Sequence, residues 1–184
     1  KDESEMFKKA ALLFDRKNIE KSMEEDIELL KAMHGGNGGF SWFPGLPENR
    51  YTTQAILSGA GRLLIITGKE FPSLKAIAEK AIYFIDAMAN EEMQSLLRDG
   101  VKTGKNLTPT AVHYLYARSF FKDVPNRFAA AHAFWMGELK NNWLELNSYL
   151  RAMGAVALIQ NGALKEGNEI VESLRQRAIV SASL

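Results

Sequence analysis

Histidine is the side chain that most readily moves protons or holds a metal near neutral pH, and this chain has three: His34, His113 and His132. None stands three or four residues from another, the spacing that sets two ligands on one helix face, so no metal site is expected. His113 is followed by Tyr114 and Tyr116 in a segment of small residues and reads as a hydrogen-bonded core or groove histidine. His34 falls in the last turn of an expected helix, where a positive charge would favour the negative end of the dipole. The acidic runs Glu24-Glu25-Asp26 and Glu91-Glu92 are consecutive, so their carboxylates radiate around a helix and are expected to be solvated faces. There is no DDxxD or DxDD cluster to hold magnesium or protonate an isoprenoid, and no Ser, His and Asp arrangement declares itself. With no cysteine, disulfides, thiolate ligands and cysteine nucleophiles are excluded within the chain. Gly59-Ala60-Gly61 has two of the glycines of a dinucleotide loop but lacks the third and a preceding strand. Gly68-Lys69 is followed by Glu70 where a phosphate loop needs Ser or Thr. The residues therefore predict no catalytic group, no metal and no cofactor.

Recognition is a different matter, and residues 35–63, GGNGGFSWFPGLPENRYTTQAILSGAGRL, are its candidate seat. Glycine and proline punctuate structure most strongly, so their density here marks a built loop rather than a linker. Gly38, Gly39, Pro44 and Gly45 are the expected structural positions of that loop. Phe40, Trp42 and Phe43, with Tyr51 and Gln54 beyond, form the candidate interaction surface. The same aromatics could instead be a plug covering one end of a helical barrel, which is how loop aromatics most often end up. Glu48-Asn49-Arg50 lead into Tyr51-Thr52-Thr53, whose hydroxyls can cap the following helix.

The elements that must carry this loop are helical. Apolar residues recur at i, i+3, i+4, i+7 in Leu74–Ile77–Ala78–Ala81–Ile82–Ile85–Met88, with charged residues opposite. Similar stripes run through Met6–Ala10–Phe14, Met23–Ile27–Leu30, Ile56–Ala60–Leu63–Leu64, Phe128–Ala131–Trp135–Leu139 and Leu164–Val171–Leu174–Ala178. No segment alternates as a strand would, so no sheet is expected. Thr108-Pro109 reads as an N-cap with proline at the first helical position. Gly35, Gly68 and Gly162 sit where a left-handed C-terminal residue is wanted. Helices at roughly 51–67, 109–121 and 149–161 are rich in small residues and suit an inner layer with neighbours on several sides. Those at roughly 19–33, 72–97, 126–141 and 163–179 carry one apolar stripe and a charged face, as an outer layer does. Alternation of the two kinds predicts an all-α fold of about eight paired antiparallel helices forming a partial α/α toroid, with residues 1–184 as a single helical domain.

Bulk properties narrow the partners. Apolar residues at 46% and charged residues at 24% are ordinary globular values. A net charge of +1, from 23 basic and 22 acidic residues, gives no steering toward nucleic acid or an anionic membrane. No apolar run approaches a membrane span, so this segment is not expected to insert. The chain opens at Lys1 without methionine or an apolar leader and reads as an internal piece of something longer.

GGFSWFPG at 38–45 followed by NRYTTQAILSGAGRLL at 49–64 resembles the alpha-2-macroglobulin family, where such a loop precedes an inner helix of the thioester-type helical domain. LTPTAVHYLYARSFF at 107–121 and SYLRAMGAVALIQNGALKEGNEIVESLRQRAIVS at 148–181 extend the likeness, nearest to the large bacterial forms of the Bacteroidetes type. The resemblance implies a fragment of an α/α toroid, a terpenoid-cyclase-like arrangement, within a multidomain protease inhibitor. Such proteins trap proteases after a bait region is cut, and many couple to the attacker through a CxEQ thioester. It further implies a periplasmic or cell-envelope location, a role in bacterial defence, neighbouring β-domains of the same parent chain as partners, and proteases as targets of the whole protein. No CxEQ is present here, and the family places that motif upstream of the aromatic loop. No family catalytic residue falls on any position of this chain, so a non-enzymatic, structural and interaction role is expected. An incomplete ring would leave an apolar edge on the terminal helices. Two other classes remain open: an α/α-toroid enzyme acting on a small molecule or polysaccharide, and a helical-repeat scaffold that binds peptides along a groove lined by the small-residue helices.

Overall fold

The structure, a computed structural model, describes residues 21–22, 24–68, 71–100 and 105–182; of 179–182 only the backbone is described. The stripe Met6–Ala10–Phe14 and Met23 lie outside the described residues. All regular structure among the described residues is helical: α1 (residues 24–33), α2 (Arg50–Thr67), α3 (Pro72–Arg98), α4 (Pro109–Ser119), α5 (Ala129–Asn142), α6 (Ser148–Gln160) and α7 (Leu164–Ala182), with a 3-10 turn at Trp143–Glu145. The all-α class read from the stripes is thus the class observed.

The helix ends follow local chemistry. Thr108 caps α4, its side chain accepting from the Ala111 amide at 3.1 Å, and Pro109 opens the helix where a missing N–H costs nothing. Asn147 caps α6 in the same way through the Leu150 amide at 2.9 Å. The cap of α2 is Asn49, not the threonines that follow: its Oδ1 accepts from the Thr52 amide at 3.0 Å, and Thr52 and Thr53 are buried inside the first turn. Gly68 and Gly162 take the expected left-handed conformation, with φ of 59° and 82°. Gly35 does not. The chain closes after α1 through an isolated bridge between His34 and Phe40, and the Gly35 amide donates to the Gly39 carbonyl at 2.8 Å.

The small-residue helices α2, α4 and α6 lie side by side, with α4 between its two neighbours. Helices α3, α5 and α7 pack against them as a second layer, α3 on α2 and α4, α5 on α4 and α6, α7 on α6. Small residues permit the close approach. A side chain at Gly61 would collide with Phe120, whose Cβ lies 2.4 Å from where its own would be. Between the layers lie Ile82 and Ile85 of α3, Leu115 of α4, Trp135 and Leu139 of α5 and Leu158 of α6, all fully buried. Each contributes about 1.5–3 kcal/mol through removal from water. Trp135 also spends its single donor, Nε1 reaching the Ala89 carbonyl at 3.0 Å, so its burial leaves no polar atom unpaired.

One polar cluster penetrates this core. Asp86 of α3 is fully buried, accepts from the Tyr114 hydroxyl at 2.9 Å and faces Arg118 Nε at 3.2 Å. Arg118 in turn donates to the carbonyls of Phe121 and Val124 and so ties the α4–α5 connection to the core. Burial raises the Asp86 pKa against the opposing pull of Arg118 and Tyr114, and raises the Tyr114 pKa likewise.

Candidate functional site

Two surfaces stand out: the tip of the aromatic loop and a groove across the small-residue layer. The loop is held by hydrogen bonds from both sides. The Phe40 amide donates to Thr53 Oγ1 at 2.8 Å, and the Phe40 carbonyl accepts from the Asn49 amide at 2.8 Å. The Ser41 amide reaches back to the Met33 carbonyl at 3.2 Å, and Ser41 Oγ donates to the Phe43 carbonyl at 2.7 Å. Pro44 and Gly45, the latter at φ 84°, occupy the centre of a turn closed by the Leu46 amide on the Phe43 carbonyl at 3.2 Å. Gly38 is required at its place twice over: its φ is 94°, and an added Cβ would lie 2.6 Å from the Lys80 carbonyl oxygen.

Glu48 is the clasp of this loop. Its side chain lies over Gly35 and accepts from the Asn37 amide at 3.0 Å. That bond and its own backbone amide hold the Glu48 pKa below the usual carboxylate value. His34 abuts the Phe40 ring edge-on at 5.2 Å. Burial, and then the neighbouring Lys80, lower the His34 pKa, so it is neutral at neutral pH and does not serve as the cation at the end of α1 that its position suggested.

The five candidate surface residues therefore divide. Phe40 is buried under the loop as a plug and Gln54 is buried in α2, bridging Arg50 Nε (3.0 Å) and the Thr110 carbonyl (3.2 Å); neither presents a surface. Trp42 and Phe43 point outward at 58% and 67% exposure, with Leu46 beside them at 53%. Tyr51, also exposed, does not belong with them: it stands in the groove, its ring 5.6 Å from that of His113 in an edge contact. The acidic runs divide too. Glu24, Glu25, Asp26 and Glu91 are solvated as expected. Glu92 is half-buried and pairs with Arg50 at 2.8 Å while accepting from the Thr108 hydroxyl at 3.3 Å, joining the starts of α2 and α4 to α3.

The groove consists of two adjoining cavities of about 260 and 300 Å³ that share Tyr51, His113, Tyr149 and Met153 as lining. One extends to Ser58, Arg62 and Tyr116, the other to Pro109, Thr110 and Asn147. It thus crosses α2, α4 and α6. Ser58 Oγ lies 3.2 Å from His113 Nε2 and 2.7 Å from the Gln54 carbonyl. A hydroxyl has one proton, and the carbonyl can only accept, so Ser58 donates to Gln54 and receives the proton of His113 Nε2. The His113 pKa is lowered by burial alone, with no carboxylate contributing. No group of three or more His, Cys, Asp or Glu among the described residues could hold a metal.

Sequence reasoning missed Asp86 and Glu138, both buried acids. Glu138 accepts from the Asn106 amide at 2.8 Å and so fastens the segment before α4. No described helix is long and apolar enough to cross a membrane. No protein-family model, no curated protein and no solved structure matches the chain.

Proposed function

We propose that this chain is a non-catalytic structural and interaction segment of an alpha-2-macroglobulin-like protease trap of the bacterial cell envelope, and that its paired helices form part of an α/α toroid in that protein. The reading rests first on the resemblance carried by residues 38–64. The observation that supports it most is the division of the aromatic loop: Phe40 anchors it from below while Trp42 and Phe43 are held outward on a hydrogen-bonded tip. Large apolar side chains held outward on a fixed loop are the pattern of an interface anchor. In the proposed parent they dock on a neighbouring β-domain and follow it when the bait is cut.

The enzymatic alternative has less behind it. Its best pair, Ser58 and His113, is polarised in the wrong direction for nucleophilic attack, and no acid orients the imidazole. The test uses the full parent protein, read from the open reading frame around this segment. Incubated with a panel of endopeptidases, it should be cut once in an accessible segment. It should then retain the protease so that small peptide substrates are still hydrolysed but large protein substrates are not. Loss of activity toward both, or toward neither, counts against the trap.

A further inference from the structure

The groove between Tyr51 and Tyr149 is separate from the loop tip, since neither Trp42 nor Phe43 lines it. Two tyrosines line both cavities, Tyr51 and Tyr149, and among the described residues they are 59% and 68% exposed. Aromatic walls of this kind take up flat or branched apolar groups. Its apolar lining includes Met153, Ala152 and Val156 of α6 and Ala55 of α2.

Tyr51, Tyr116, Tyr149 and Thr110 bring hydroxyls to the groove, while other polar groups that line it are held within the fold. Ser58 and His113 are paired, and Asn147 is spent on capping α6. The tyrosine rings and the apolar residues that line the groove favour an apolar, aromatic side chain. Charge is one-sided. Arg62 at one end is the only charged residue among those that line the two cavities, and its Nε makes only a long bond of 3.3 Å to the Ser58 carbonyl. An anion beside the bound apolar group would therefore meet a cation, and no carboxylate is among the described residues that line the two cavities.

We infer that this groove binds an extended peptide segment in which an aromatic residue enters between Tyr51 and Tyr149 and an adjacent acidic residue pairs with Arg62. The peptide can belong to any partner protein; what the groove selects is the aromatic–acidic pair. The inference does not depend on the protease-trap reading, because the two surfaces share no anchoring residue.

The probe is the capped tetrapeptide acetyl-Gly-Phe-Asp-Gly-amide, titrated into the chain and followed by backbone amide chemical shifts. Expected is saturable binding with shifts centred on residues 51, 62, 113 and 149. Tyr149→Ala and Arg62→Gln, both exposed positions that leave the fold intact, should each weaken it about tenfold, which is about 1.4 kcal/mol. Replacing the peptide's Asp with Asn should weaken wild type but not Arg62→Gln, and Trp42→Ala should change nothing. Absence of saturation at about 5 mM, the range of the weakest specific complexes, overturns the proposal. So does equal binding of the Asp and Asn peptides to wild type, or a preference for maltotetraose over the peptide. Failure here leaves the trap assay untouched, and failure of the trap assay leaves this titration untouched.

Discussion

Ser58 Oγ accepts a hydrogen bond from His113 Nε2 at 3.2 Å, because its own proton is directed to the Gln54 carbonyl at 2.7 Å. In a serine hydrolase the proton runs the other way, from hydroxyl to imidazole, and a carboxylate holds the far side of the ring. Here the pair joins α2 to α4 across the small-residue layer, and its two members come from segments 55 residues apart. It fixes the register of two helices that have little side-chain bulk with which to interlock.

Ser58 is therefore expected to be chemically inert. A fluorophosphonate probe should leave it unlabelled, and Ser58→Ala should cost about 1 kcal/mol of stability, the usual worth of one hydrogen bond. Mass spectrometry after probe treatment decides the first point and urea denaturation the second. Stoichiometric labelling that disappears in Ser58→Ala would restore the enzyme reading.

All three histidines have pKa values below the ordinary 6.5. Burial leads in each case, helped at His132 by Arg118 and at His34 by Lys80. A group whose folded pKa is depressed contributes stability that is complete above its unfolded pKa and is lost as pH falls through the folded one. The chain should thus be most stable above about pH 6.5 and lose stability on acidification below it. Urea midpoints between pH 8 and pH 5 test this, and His113→Gln with His132→Gln should flatten the curve. A midpoint that rises on acidification over this interval would contradict the burial of the imidazoles.

Arg118 and Asp86 make the second electrostatic prediction. Arg118→Met should cost about 3–5 kcal/mol at neutral pH, because it leaves a carboxylate buried without its cation. Burial raises the Asp86 pKa even in the intact pair. A raised carboxylate contributes stability below its unfolded pKa that is lost as pH rises through the folded one, and removing Arg118 widens that window. The variant should recover part of its loss between neutral pH and about pH 4, near the ordinary Asp value. A deficit that does not change with pH would mean that Asp86 is not the group paying for the missing guanidinium.

The helices were legible because their apolar stripes and caps are local. Leu74, Ile77, Ala81 and Ile85 all line the buried face of α3, and Thr108-Pro109 opens α4 as read. The split of the aromatic loop was not legible. Phe40 and Trp42 are both aromatic and share a neighbourhood, and only the pairing of Phe40 with Asn49 and Thr53 assigns one inward and the other outward. Asp86 was passed over although it follows Ile82 and Ile85 on the buried stripe; an acid in that register demands a distant partner, and Arg118 is 32 positions away in a different helix. Tyr51 was grouped with the loop by proximity in sequence, whereas the first turn of α2 rotates it toward His113. Local periodicity sets which residues form a helix, and contacts between helices decide what each face meets.

Gly38 and Gly36 offer an internal comparison within one loop. An alanine at 38 meets both a φ of 94° and the Lys80 carbonyl, while an alanine at 36 meets open space. Gly38→Ala should cost about 2–4 kcal/mol, the sum of left-handed strain and a backbone clash. Gly36→Ala should lie within about 0.5 kcal/mol of wild type. Equal effects of the two in chemical denaturation would mean that the loop is not docked on α3 as described.

Trp42 and Phe43 carry the opposite expectation. They are largely exposed, so truncating them removes little buried area and should change stability by less than about 0.5 kcal/mol. The loop's own hydrogen bonds run through backbone atoms and through Ser41, Thr53, Asn49 and Glu48, none of which the truncation touches. In the proposed parent protein the double variant Trp42→Ala, Phe43→Ala should nonetheless weaken docking of the helical segment on its neighbour. Limited proteolysis at the domain junction should quicken about tenfold or more if the two aromatics are anchors worth about 1–2 kcal/mol together. Unchanged proteolysis in the parent, with unchanged stability of the isolated chain, would show that these side chains face solvent in the assembly as well. The interface role of the loop would then fall, leaving Phe40 as its sole reason for being aromatic.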